Sequence, residues 1–196
     1  MRSQKLPKVS SPTVLPGAFA GQAFGKTGMI LRFALAVLVL LPIAGHTDPP
    51  TTTSRLALLT TVPLESRIVI PAAKTTVAQV VVFTDTDCPY CVRLHDMRNA
   101  ITQRGIEIQY IFYPRSGPGS DSYTQAVAVW CSTDRVAALD KVLHGETLPA
   151  AHCVNPVDAH YALARKLGLM GTPAIVTSEG TIGYGVPSRD WLAAAD

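Results

Sequence analysis

Cys88 and Cys91, two cysteines separated by Pro89 and Tyr90, are the side chains of this chain best suited to do chemistry. Asp87-Cys88-Pro89-Tyr90-Cys91 follows an apolar, strand-like run, Gln79 to Phe83, and precedes a segment that reads as helix, Val92 to Gln103. At a strand-to-helix junction this spacing forms a redox pair, because the two thiols can close a small disulfide loop at a helix N-terminus. Unpaired backbone N–H groups and the positive end of the helix dipole favour Cys88 as thiolate, the form that attacks a disulfide. Cys91, one turn further in, is placed to be the resolving thiol that expels a trapped partner.

Other chemistries fit these residues less well. A structural zinc site usually needs a second closely spaced Cys/His pair. Cys131 and Cys153 are far apart, although His144 and His152 are possible extra ligands. Covalent haem attachment needs a histidine directly after the second cysteine, and Val92 stands there. No cofactor and no metal is expected. A chaperone or zinc-binding module with a secondary Cys pair is the alternative from another class. Around the pair, His95 reads as a solvent-facing residue in preference to one that tunes thiol ionisation. Asp85 and Asp87 read as a cap or a solvated turn, and Arg115 stands evenly between a substrate contact and a loop cap.

The elements that must position the pair follow from periodicity and turn chemistry. Residues 46–76, rich in threonine and proline, read as a linker with a helical patch near Arg55 to Thr60 and an edge strand from Arg67 to Ile70. Val77 to Thr84 is β-branched and apolar on both faces, as expected of a central strand. The pair sits at its C-terminal end, where open α/β sheets place their sites. Ile106 to Phe112 is a second strand, with Ile106, Ile108, Tyr110 and Phe112 on one face. Helices are predicted over Ser120 to Trp130, over Asp134 to Leu143 with Thr133 as N-cap, and over Val157 to Leu167 with Pro156 in its first turn. Ala174 to Thr177 and Thr181 to Tyr184 form a hairpin through Ser178-Glu179-Gly180, and Ser188 to Ala195 is a final short helix. Strand, helix, strand, helices, hairpin, helix is the plan of an α/β thioredoxin fold with a helical insertion between its βαβ and ββα halves. Gly171-Thr172-Pro173, just before the hairpin, reads as a second functional element, the alternative being a turn that merely starts a strand. A proline there has no N–H and leaves neighbouring backbone groups free for another chain.

The chain has 196 residues, 47% of them hydrophobic, enough for one domain with a proper core. Its net charge of +3 misleads. Five basic residues (Arg2, Lys5, Lys8, Lys26 and Arg32) precede residue 33, and from His46 onward 12 basic face 14 acidic residues, a net of −2. That balance gives no reason to expect nucleic-acid binding. Residues 1–45 have the layout of an export signal: a basic region, an apolar run from Phe33 to Leu41, then small residues near Ala44 and Gly45. From Met29 to Gly45 there are 17 residues, interrupted by Arg32 and Pro42, short for a membrane span. A cleaved signal peptide is therefore preferred over an anchor, and Met29 to Arg32 would itself make a compact signal start. Residues 77–196 are then the catalytic domain. An exported chain keeps disulfides, so the four cysteines divide naturally: Cys88 and Cys91 do chemistry, and Cys131 and Cys153 form a structural bridge. Two unrelated buried thiols are the alternative.

From about Gln79 to Trp191 the chain resembles the catalytic domain of the periplasmic disulfide isomerases DsbC and DsbG. The resemblance rests on Phe83-Thr84-Asp85 ahead of the pair, Leu94-His95 after it, Pro114-Arg115 with Gly117, and Trp130-Cys131. It continues in His160-Tyr161-Ala162-Leu163 and in Leu167-Gly168 followed by Gly171-Thr172-Pro173-Ala174. The Pro89-Tyr90 dipeptide is more similar to DsbG than to DsbC. The resemblance implies a cis Pro173 facing the pair, a Thr172 backbone that with Pro89 and Tyr90 meets the substrate, and a structural Cys131–Cys153 disulfide. It also implies periplasmic location, disulfide-containing exported proteins as clients, and a membrane thiol-transfer protein as electron donor. Val82, six residues before Cys88, occupies a place that in thioredoxins is a buried aspartate, which makes a general thioredoxin-like reductase less expected. The 33 residues from His46 to Ala78 are too few for the family's N-terminal dimerisation domain. A monomer, or a dimer made another way, is therefore expected, the monomer being preferred, with a monomeric oxidase as a further alternative to isomerase or reductase.

Overall fold

The computed structural model of the protein describes residues 49–188. The expected leader and the helix expected beyond Ser188 lie outside the described residues. The sheet is built around β2 (Ala78–Thr84), whose consecutive Val80, Val81, Val82 and Phe83 are all buried. β-branched and aromatic side chains fit such a pleated, doubly covered surface. With β1 (Ile68–Ile70), β3 (Ile106–Phe112), β4 (Ala174–Thr177) and β5 (Ile182–Tyr184), the order is β1-β3-β2-β4-β5. β2 and β3 run parallel, with Val82 opposite Tyr110, and every other pairing is antiparallel. Parallel neighbours need a crossover, and two helices supply it, α2 (Pro89–Asp96) and α3 (Arg98–Thr102).

Alternation along the strands divides the core in two. Val80 and Val82 of β2 join Ile106, Ile108, Tyr110 and Phe112 of β3 in a cluster that also holds Cys88, Cys91 and Leu94. Val81, Phe83 and Ile111 point the other way, to Leu59, Leu163 and Leu167. The first layer is covered by α4 (Asp121–Cys131) and α5 (Arg135–Leu143), which form the helical insertion. The second is covered by α1 (Thr52–Leu59) and by Leu163 and Ala164 of α6 (Val157–Lys166).

Several local expectations are revised. The single helix expected over Val92 to Gln103 is two helices, parted at Met97, whose ψ of −3° lies off the helical value and whose N–H is shared between Arg93 O and Leu94 O. Asp134, not Thr133, caps α5, its Oδ1 accepting from Ala137 N at 2.9 Å. A carboxylate there gains the helix-dipole interaction as well as the hydrogen bond. Pro156 is the N-cap of α6 and lies outside its first turn. The stretch read as a linker is tied into the domain: Leu59, Val62 and Ile68 are buried, and β1 pairs with β3. The Arg67 guanidinium draws it together, donating to Leu59 O, Val62 O and Gln109 Oε1, each at 2.6 Å. Threonine- and proline-rich composition conceals this, because the burial is spread over a short helix, a turn and a three-residue strand. At the start of β3, Gly105 has φ +84°, and a Cβ there would lie 2.7 Å from Thr75 O, so only glycine fits without strain. Cys131, at the end of α4, is joined by a disulfide to Cys153, 22 residues on.

Candidate active site

β2 delivers the chain to the C-terminal edge of the sheet, and the turn Asp85–Asp87 hands it to α2. Cys88 is the N-cap of that helix, in extended conformation, with Pro89 in the first turn. Proline suits that position because its missing N–H would have had no helical partner. Cys88 O then accepts from the N–H groups of Cys91 (2.9 Å) and Val92 (3.2 Å), which fixes the second cysteine one turn inside. Both thiols are free, and the residues are 2% and 1% exposed. Cys88 Sγ donates to Thr172 O at 3.2 Å. The Thr172–Pro173 bond is cis, Pro173 is buried, and Pro173 O is held by Gly185 N at 2.9 Å. Pro89 and Tyr90 face outward, Tyr90 stacked beneath the Arg93 guanidinium at 5.2 Å. The fold thus brings Cys88, Cys91, Thr172, Pro173, Pro89 and Tyr90 to one edge of the sheet.

The two sulfurs differ in environment. Burial pushes the Cys91 thiol up to about 12. The Thr84 hydroxyl and the Asp85 N–H pull in the opposite direction, and the neighbouring Cys88 raises it further. Burial thus holds the Cys91 thiol protonated at neutral pH.

The polar residues around the pair are more deeply engaged than expected. Asp85 is not a solvated turn residue: its side chain is fully buried, and Oδ2 accepts from both Arg115 N and Arg115 Nε at 2.8 Å. Arg115 Nη2 also reaches Asp87 Oδ1 at 2.6 Å. Burial works against the charge on Arg115, but the two aspartates outweigh it and hold the guanidinium protonated well above its usual range. The arginine is a clamp between the loop after β3 and the turn that carries Cys88. A buried carboxylate needs such a partner, and spacing in the chain gives no sign that residues 85 and 115 meet. His95 is likewise not solvent-facing. It is 0% exposed, with Nδ1 3.1 Å from Tyr110 Oη and Nε2 3.3 Å from Asp140 Oδ1, off the direction of a hydrogen bond. Burial lowers its pKa to about 4, so it is a neutral core histidine joining α2 to α5.

Among the described residues no group of three or more His, Cys, Asp or Glu side chains is placed to hold a metal. Cys131 and Cys153 are consumed by their disulfide, and His144 pairs with Asp96 at 3.0 Å. No helix among the described residues is long and apolar enough to cross a membrane.

Residues 66–195 match the family described as thioredoxin-like domain. The chain belongs to that family. This thioredoxin-like domain is 36% identical over 145 residues to the thiol:disulfide interchange protein DsbC of Escherichia coli K12, covering 73% of this chain and 61% of that protein. It is also 36% identical over 118 residues to DsbC of Dickeya dadantii, covering 60% of this chain and 50% of that protein. The chain thus spans about three fifths or less of the length of these curated relatives. Among solved structures, it superposes on a disulfide interchange protein from Neisseria gonorrhoeae with TM-score 0.57 and 27% identity, over 67% of this chain and 93% of that one. A linker-deletion variant of ScsC from Proteus mirabilis gives TM-score 0.59 and 25% identity, over 74% of this chain and 80% of that one.

Proposed function

We propose that the chain is a thiol-disulfide oxidoreductase of the DsbC/DsbG kind, a disulfide isomerase or reductase acting on exported proteins through Cys88 and Cys91. The observation that carries this reading is the placement of Cys88 Sγ at a helix N-cap, 3.2 Å from Thr172 O, with the free thiol of Cys91 one turn behind it. An incoming client disulfide meets the outer thiol first, and the Thr172-Pro173 backbone lies beside that thiol, with Thr172 O 3.2 Å from Cys88 Sγ.

Cys88 thiolate attacks one sulfur of the client disulfide. The Cys88–client bond forms, the client bond breaks, and the other client sulfur leaves as thiolate. Two resolutions follow. A client thiolate can attack the mixed disulfide, reform a client disulfide in a new pairing and return Cys88 with no net transfer of electrons. Alternatively, Cys91 loses its proton and attacks Cys88 Sγ, which closes the Cys88–Cys91 disulfide and releases a client reduced by two electrons. Run backward from the oxidised pair, the same step donates a disulfide.

The family resemblance supports the remaining assignments. Thr172, Pro173, Pro89 and Tyr90 form the substrate-contacting surface. Residues 1–45 direct export, the protein works in the periplasm, and a membrane thiol-transfer protein keeps the pair reduced. The catalytic unit reaches back through the 46–76 segment, because Arg67 and β1 are bonded into the sheet.

The test is reactivation of a scrambled multi-disulfide enzyme by the reduced protein, with Cys88→Ser and Cys91→Ser alongside. Reactivation that is lost in Cys88→Ser and partly retained in Cys91→Ser is expected. Failure of the folded wild-type protein to reactivate would remove the isomerase assignment.

A further inference from the structure

The Cys91 sulfur must carry negative charge at two moments of the proposed exchange. It does so when it attacks the Cys88–client disulfide, and, in the reverse direction, when the Cys88–Cys91 disulfide is opened and Cys91 is the leaving group. The residue is 1% exposed, and no water reaches it easily to stabilise that charge. Fixed dipoles of the protein must do so instead.

Two are placed for it. Asp85 N–H donates to Cys91 Sγ at 3.5 Å, within the range of hydrogen bonds to sulfur. The Thr84 hydroxyl belongs to the last residue of β2, 1% exposed, and Oγ1 has no hydrogen-bond partner of its own. Two residues after Val82 on β2, the Thr84 side chain is on the strand face that packs against the layer holding Cys91, where the hydroxyl opposes the effect of burial on that thiol. A buried hydroxyl with nothing to bond is costly, and one beside a sulfur that alternates between thiol and thiolate has a partner whenever the sulfur is charged. The hydroxyl rotor needs no backbone movement for this. It can accept from the neutral S–H and turn to donate to S⁻.

Resting on the thiol-disulfide reading above, we propose that the Thr84 hydroxyl and the Asp85 N–H form a two-donor thiolate hole for Cys91, which makes Thr84 a catalytic residue of the resolving step. Atoms balance simply. Cys91 gives up its proton as it attacks, the Cys91–Cys88 bond forms as the Cys88–client bond breaks, and the electron pair leaves on the client sulfur, which takes up a proton. Attack by Cys88 on the client does not involve Cys91 and does not use the hole. Thr84 therefore governs the partition between the two outcomes: without its hydroxyl, mixed disulfides live longer and resolution by client thiols gains over resolution by Cys91.

The experiment compares the full chain with Thr84→Val, which keeps shape and β-branching but removes the hydroxyl, and with Thr84→Ser, which keeps the hydroxyl. Three readouts are taken: alkylation of Cys88 in the reduced protein, the pH titration of Cys91 in a Cys88→Ser background, and the single-turnover release of glutathione from a preformed Cys88–glutathione disulfide. Thr84→Val is expected to leave Cys88 alkylation within about twofold, to move the Cys91 titration upward, and to slow glutathione release about tenfold or more, the factor carried by one hydrogen bond to a charged sulfur. Thr84→Ser should restore most of the release rate. Unchanged release in Thr84→Val with Cys88 still reactive would overturn the role of Thr84 and leave the oxidoreductase reading standing. Equal slowing of alkylation and release would also overturn it, because that is the mark of a distorted site. If wild-type Cys88 forms no mixed disulfide with glutathione, the oxidoreductase reading fails and this inference falls with it.

Discussion

Replacing Arg115 by methionine tests whether the clamp beneath the turn that carries Cys88 is an energetic feature or a surface ion pair. Asp85 is fully buried, and two of its contacts, both at 2.8 Å, come from Arg115: one from the backbone N and one from Nε. The variant removes the second only. At an effective dielectric constant near 20, two unit charges about 4 Å apart attract by roughly 4 kcal/mol. The arginine side chain is 41% exposed, so solvent screening reduces this to about 2 kcal/mol. The carboxylate left behind keeps the backbone donor but loses its counter-charge in a fully buried position, and its other oxygen is already without a partner. A net cost of about 2–3 kcal/mol is expected, of which a substantial part is the stranded charge. Asp87 gives the internal control. Its pair with Arg115 is short, 2.6 Å, but the carboxylate is 53% exposed, so Asp87→Asn should cost no more than about 0.5 kcal/mol. Combining Arg115→Met with Asp85→Asn removes the stranded charge, and the double variant should be at least about 1 kcal/mol more stable than the sum of the single effects. Urea unfolding of the reduced proteins at pH 7 measures all four, with a midpoint shift of about 1 M for Arg115→Met, given a slope of roughly 2 kcal/mol per M. Additive single effects, or an Asp87→Asn variant as unstable as Arg115→Met, would refute the argument that burial decides which half of the clamp matters.

Removing the structural disulfide with Cys131→Ser and Cys153→Ser reopens a loop of 22 residues, which in the chain-entropy model costs about 3 kcal/mol, read as a lower urea midpoint. A loss below about 1 kcal/mol would show that the unfolded chain is already confined there. Acid should weaken the fold through two histidines. Burial holds both His95 and His160 near 4. His160 is fixed in its neutral form, because Nδ1 accepts from Phe112 N at 3.3 Å while Nε2–H donates to Ser66 O at 2.7 Å. The unfolded chain binds more protons than the folded one between about 4 and 6.5, so this stability is fully present above 6.5 and is lost as pH falls through 4, at most about 3 kcal/mol for each histidine. Unfolding midpoints followed from pH 7 to 4 should fall more steeply for the wild type than for a His95→Gln, His160→Gln double variant. Parallel curves would refute the assignment.

How much of the site was legible in the chain depends on sequence distance. Cys88, Cys91 and the strand before them are local features. An apolar, β-branched run of Val80 to Phe83 marks a strand by its own residue types, and a cysteine at the junction with a proline after it sets an N-cap and a first turn through contacts no more than four residues apart. The stop of α5 at Gly145, φ +91°, is of the same kind. The position of Thr172-Pro173 was marked by its own residue types, but its distance from Cys88 is a property of the sheet, since β4 pairs with β2 antiparallel and carries residue 172 back to the same edge.

What tertiary structure alone decided is the state of the polar residues. Asp85 and His95 carry no local sign of burial and Arg115 none of its pairing, and their partners lie 30 residues away for Asp85 and Arg115, and 15 and 45 residues away for His95 with Tyr110 and Asp140. Thr84 ends an apolar run as any strand-terminal threonine does, and only the packing of α2 on this face of the sheet brings Cys91 into the layer that the face covers. The threonine-rich stretch before β2 belongs to the domain for a related reason: Arg67 finds Gln109 on β3, a partner 42 residues on. Periodicity, turn chemistry and the spacing of the two cysteines are written along the backbone and act at short range. The cost of burying a charge or a hydroxyl is set by what packs against it, and that is known only when the sheet and helices are assembled.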